Sequence, residues 1–133
     1  MPVKVFGPND VRLLQLPGRE LRRLAAPENA GTTLLLLNDM RVPPKAQVLP
    51  RHAHVKSEEL IYVIDGVAEV WVDGETAVVR SGEVAFFPMG SKHMVRNLRE
   101  TPLHAITVFA PPSHPEEYLT FESIRFPETE DVR

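Results

Sequence analysis

At 133 residues and 15.0 kDa the chain is long enough to bury one hydrophobic core and too short for two comfortable ones. Its 43% hydrophobic and 25% charged residues exclude a wholly disordered chain or a fibrous repeat. The 15 Lys and Arg against 18 Asp and Glu, net −3 and scattered apart from Arg22 and Arg23, give no footprint for nucleic acid or an anionic membrane.

Cysteine is absent, so disulfides, thiol nucleophiles and thiolate ligands are all excluded, and any metal must be held by nitrogen and oxygen. Met1 to Pro8 lack the basic-then-apolar pattern of a signal peptide, and no apolar run, Leu34 to Leu37 included, is long enough to span a bilayer. The expected location is the cytoplasm.

In chain order, Arg19 to Ala26, with Leu21 and Leu24 three apart, suggests a short helix, and Thr32 to Leu37 a strand. Leu60 to Ile64, Val67 to Val72 and Glu75 to Val79 are β-rich runs separated by Asp65-Gly66 and Asp73-Gly74. Those pairs favour type I′ turns and so predict an antiparallel meander. Val84 to Phe87, His93 to Asn97 and Leu103 to Phe109 are further strands, and Ser113 with Glu116 frames a short helix over Pro115 to Leu119. With 13 Pro and 7 Gly as punctuation, the series reads as an all-β sandwich or barrel. A single domain over 1–133 is expected, with a core at about 32–110, an N-terminal arm 1–31 and a C-terminal arm 111–133.

His52 and His54 are separated by one residue, which puts both imidazoles on one face of a strand. Glu58 and Glu59 follow closely, and two imidazoles, a carboxylate and one more donor suit Fe, Mn, Ni, Co, Cu or Zn. Parity leaves the carboxylate open. Positions 52, 54, 56 and 58 share a face in a continuous strand, whereas Glu59 joins them only if a bulge or bend intervenes at Val55 to Ser57.

Gly82, Pro88, Gly90, His93 and Asn97 follow the pattern Gly, five residues, Pro-x-Gly, two residues, His, three residues, Asn, which resembles the second motif of the cupin superfamily. The first cupin motif, Gly, five residues, His-x-His, three or four residues, Glu, six residues, Gly, is similar to Ala46 through Gly66. His52, His54, Glu59 and Gly66 fit with the four-residue spacer, and Ala46 stands where the family has its opening glycine. The resemblance implies a cupin-type jelly-roll β-barrel or sandwich with short terminal arms, of the small single-domain kind. It also implies one divalent transition metal held by His52, His54, Glu59 and His93, and a homodimer that protects exposed sheet edges. Gly66, Gly82, Pro88 and Gly90 read as turn-setting residues, and Asn97 as a turn or hydrogen-bonding residue.

Alternation along Leu103 to Phe109 groups His104 with Ile106 and Val108 and leaves Thr107 on the other face. The plain reading of His104 is a satisfied barrel histidine; the catalytic one is a proton shuttle beside the metal. Tyr62 turns away from the metal if Glu59 ligates and inward if Glu58 does. Trp71, Phe86, Phe87 and Met94 read as core or cavity lining, and His114 as an exposed loop residue. The expected function is a metal-dependent enzyme acting on a small oxygenated organic acid, sugar acid or enol, with a dioxygenase as the leading reaction. An isomerase, decarboxylase or lyase would use the same ligands. A noncatalytic small-molecule binding or sensing module is the competing class.

Overall fold

Short β-branched and aromatic runs, cut by proline and glycine, become strands. The computed structural model describes residues 2–48, 52–53, 56–114, 119–120 and 126. Among these the strands are β1 (Leu13–Leu16), β2 (Arg19–Ala25), β3 (Leu36–Val42), β4 (His52–Ala53), β5 (Glu58–Asp65), β6 (Val67–Val72), β7 (Glu75–Arg80), β8 (Val84–Phe87), β9 (Lys92–Asn97), β10 (Leu103–Ala110) and β11 (Leu119–Thr120). They form two antiparallel sheets, ordered β1-β2-β3-β10-β5-β8 and β11-β4-β9-β6-β7. The architecture is the all-β jelly roll that the motifs imply. Among the described residues no helix is long and apolar enough to cross a membrane.

Strand alternation builds the core. Met40, Val42, Ile61, Val63, Leu103 and Ala105 of the larger sheet pack against Ala68, Val70, Val79 and Val95 of the smaller in one buried cluster. On the outside of the smaller sheet, the Arg96 Nε donates to Glu69 Oε1 at 2.7 Å while its guanidinium lies 4.3 Å from the Phe126 ring centroid. A residue of the C-terminal arm is thus seated on the chain's own smaller sheet, and β11 extends that sheet by pairing Leu119 with Ala53.

Three expectations need correction. Arg19–Ala25 is a strand, not a helix: Pro17-Gly18 turns the chain, with Gly18 at φ 75, and β2 pairs with β1. A Cβ at Gly18 would lie 1.8 Å from the Gln47 carbonyl oxygen, so only glycine fits this turn. The strand expected at 32–37 instead covers Leu36–Val42, because pairing with β2 on one side and β10 on the other overrides the turn preference of Asn38 and Asp39. Only one of the two Asp-Gly pairs closes a hairpin. Asp73 and Gly74 both have positive φ, 46 and 99, and join β6 to β7, whereas β5 and β6 lie in different sheets, so Asp65-Gly66 carries the chain across the sandwich. The helix expected over Pro115 to Leu119 falls mostly outside the described residues; Leu119 opens β11.

Candidate metal centre

Along β5 the alternation leaves Glu58 exposed and buries Glu59, which is 7% accessible. Parity from the histidine pair does not carry through, because β4 and β5 belong to different sheets and a turn at Lys56 separates them. His93 faces inward from β9, 3% accessible, and its Nε2 lies 3.2 Å from Glu59 Oε1.

The other ring nitrogen defines what that contact can be. His93 Nδ1 lies 3.2 Å from the Ser91 carbonyl oxygen, which only accepts, so Nδ1 carries the proton in this bond. In the neutral ring Nε2 then presents a lone pair to a carboxylate oxygen. Two electron pairs at that distance call for a proton between them, on the ring or on the carboxyl, or for a cation bound by both. Donors that share one ion at bond lengths of about 2.0–2.2 Å sit about 2.8–3.5 Å apart, so this pair fits a borderline divalent ion.

Phe87 fixes both donors. It pairs with Glu59 across β5 and β8, and its ring stacks on His93 with centroids 4.4 Å apart and planes 13° apart. Its neighbour Phe86 turns outward and is exposed, so of the two aromatics only Phe87 lines the interior. Tyr62 also faces out, as its parity with Glu59 requires.

His52 occupies the position in β4 directly across from His93, and its backbone is thereby placed beside the pair. His54 lies outside the described residues. Among the described residues no three His, Asp or Glu side chains converge on one point. His104 is not brought to the pair: it sits on the outer face of β10, where its Nε2 lies 2.9 Å from Asp39 Oδ1. The proton-shuttle reading of His104 gives way to this contact, since strand alternation puts the sheet between it and Glu59. His114 is half-buried and lines a groove with Arg12, Arg23 and Glu28; there the Arg23 hydrogen bond holds the Glu28 carboxyl below its ordinary value of 4.5.

A cavity of about 30 Å³ adjoins the pair, lined by Arg19, Leu21, Asn38, Met40, Val48, Glu59, His93, Met94, Val95, Thr107 and Phe109. Arg19, Asn38 and Thr107 are polar residues of this wall that the motifs do not contain. Thr107 is foreshadowed by its opposition to His104, but nothing local marks Asn38 or Arg19 as interior residues.

The family model for the cupin domain matches residues 38–109. Polyketide synthase CurC of Streptomyces cyaneus is 32% identical over 96 residues, covering 72% of this chain and 58% of that protein. The chain therefore spans about three fifths of the length of that relative. Quercetin 2,3-dioxygenase of Bacillus subtilis is 38% identical over 52 residues, covering 39% of this chain and 15% of that protein. Among solved structures, the polyketide cyclase RemF from Streptomyces resistomycificus shares the fold with a TM-score of 0.72 at 23% identity, covering 98% of this chain and 90% of that one.

Proposed function

The chain belongs to the cupin family, and on that footing we propose that it is a metal-dependent enzyme acting on a small oxygenated organic acid, sugar acid or enol. His52, His54, Glu59 and His93 would hold one divalent transition ion. The observation that carries this reading is the 3.2 Å approach of His93 Nε2 to Glu59 Oε1, with the Nδ1 proton turned to Ser91. When bound, such an ion supplies a Lewis acid that lowers the cost of negative charge on a ligand oxygen. The Ser91 carbonyl keeps His93 in the tautomer that offers Nε2, and the Phe87 ring holds the imidazole plane. In its ionised form the Glu59 carboxylate, buried beside an imidazole, favours a cation over a neutral occupant.

Two reactions have specific support. Likeness to quercetin 2,3-dioxygenase across 52 residues favours a dioxygenase, and likeness to a polyketide cyclase over nearly the whole chain favours enol chemistry of an isomerase or lyase kind. Elemental analysis of protein purified without chelator or a histidine tag tests the shared premise. Near-stoichiometric transition metal, lost in His93→Ala and in Glu59→Gln, is expected. Failure to take up Mn, Fe, Co, Ni, Cu or Zn on reconstitution overturns the reading and leaves a noncatalytic small-molecule binding module. Oxygen consumption with candidate acids and enols then separates the two reactions.

The outer face of the larger sheet supports a homodimer. Leu60, Tyr62, Ile64, Val84 and Phe86 are each 41–57% exposed and contiguous by register, Tyr62 facing Val84 and Leu60 facing Phe86. At roughly 200 Å² per large side chain they expose about 450–500 Å² per copy. A second copy covering this face buries about 900–1,000 Å², at the threshold of about 1,000 Å² that separates a specific interface from a weak contact.

A further inference from the structure

The polar wall of the cavity contains two groups that the metal reading does not use. Asn38 on β3 and Thr107 on β10 are directly paired across the sheet, and both side chains point inward, 1% and 3% accessible. Neither Asn38 Oδ1 nor Thr107 Oγ1 has a hydrogen-bond partner among the described residues, although both atoms are buried. A fold keeps such groups at a cost to its stability, and an interior water, ion or ligand is what completes them. The register places them at the site. Thr107 pairs with Ile61 and Phe109 pairs with Glu59, so Thr107 is the diagonal neighbour of Glu59 on one sheet face, and both line the same cavity as His93.

The complement of this pair is specific. Asn38 Oδ1 accepts a hydrogen bond, and the Thr107 hydroxyl has a proton to give. A hydroxyl group satisfies both, donating to Asn38 and accepting from Thr107. A keto or carboxylate oxygen satisfies Thr107 but, with the Asn38 amide in this orientation, leaves Oδ1 facing another electron pair. The cavity, at about 30 Å³, admits one or two water-sized groups rather than a ring. We propose that Asn38 and Thr107 form a subsite for one hydroxyl group of the ligand beside the Glu59–His93 pair, which makes the ligand class a metal-chelating hydroxy acid; this rests on the metal reading given above.

The test uses cobalt(II), whose visible spectrum reports both its own binding and a ligand entering its coordination sphere, with glycolate and acetate as probes. Absence of any cobalt spectrum on titration, together with failure to take up Mn, Fe, Ni, Cu or Zn, refutes the metal reading and, with it, this subsite. With cobalt bound, Thr107→Val is expected to weaken glycolate about tenfold and to leave acetate within about twofold, since a site that hydrogen-bonds a hydroxyl discriminates against its absence. Thr107→Ser, which keeps the hydroxyl, is expected to retain the glycolate affinity. Thermal unfolding of the metal-free protein supplies the second readout: Thr107→Val should melt at or above the parent, because it removes a buried hydroxyl that has no partner. Equal effects on glycolate and acetate, no effect on either, or a Thr107→Val protein that melts well below the parent would each overturn the proposal.

Discussion

Truncating Asn97 should cost far more than the loss of one small side chain. The residue is buried at the end of β9 and its Nδ2 donates to the carbonyl oxygens of Val42 at 3.1 Å, Pro43 at 3.0 Å and Thr101 at 2.8 Å. Its Oδ1 accepts from the Arg99 amide at 2.9 Å. One amide therefore ties together the end of β3, the segment after it and the turn that links β9 to β10. The amide has two protons for three carbonyls, so the set amounts to about three full hydrogen bonds at roughly 1 kcal/mol each, or about 3 kcal/mol for Asn97→Ala. For a chain of this size 1 kcal/mol moves Tm by about 3–6 °C, so the variant should melt about 9–18 °C lower in circular dichroism, with an unchanged urea m-value. Asn97→Asp is the sharper control. It preserves the acceptor for Arg99 but turns a carboxylate oxygen on three carbonyls, and should be less stable than the alanine variant. A drop below about 3 °C for alanine, or an aspartate variant as stable as the parent, refutes the reasoning.

A charge in the centre of the outer apolar face, as in Tyr62→Glu or Phe86→Glu, should convert a dimer to a monomer in light scattering while the metal content stays the same; a parent that is already monomeric at its solubility limit removes the interface. Phe87→Leu keeps apolar volume but deletes the ring stacked on His93, so metal affinity measured by chelator competition should fall about tenfold for a stability loss of about 1–2 kcal/mol. Unchanged affinity would mean that the stack packs the core without orienting the imidazole.

The strands from 67 to 110 were legible because each is a short β-rich run closed by a proline, glycine or Asp-Gly pair, and their bounds agree with the runs to within a residue. Where the reading failed, non-local pairing overrode local propensity. Arg19 to Ala26 carries good helix formers, yet the Pro17-Gly18 turn folds it back on β1, and burial of Arg19 and Leu21 with a period of two is visible only afterwards. Asp65-Gly66 looks like Asp73-Gly74 in sequence; what separates them is that Gly66 packs against Leu103, a residue far along the chain, which no local pattern records. The choice of Glu59 over Glu58 depends likewise on β4 and β5 lying in different sheets, a fact of topology that the spacing of the cupin motif encodes and strand parity does not.

The two ends of β9 divide the work of the barrel. His93, Val95 and Asn97 share its inner face, but Asn97 at one end has its amide fully engaged, while at the other end His93 adjoins a wall where Asn38 and Thr107 keep buried polar atoms unmet among the described residues. Each such group costs about 1–3 kcal/mol relative to an apolar residue of the same shape. A sandwich built only for stability would carry valine or leucine at 38 and 107, as it carries Ile61, Val63 and Ala105 on the same sheet. The asymmetry is the one that the proposed hydroxyl subsite requires: hydrogen bonds are complete at the Asn97 end, where the chain turns, and open among the described residues at the His93 end, where the proposed ligand would complete them.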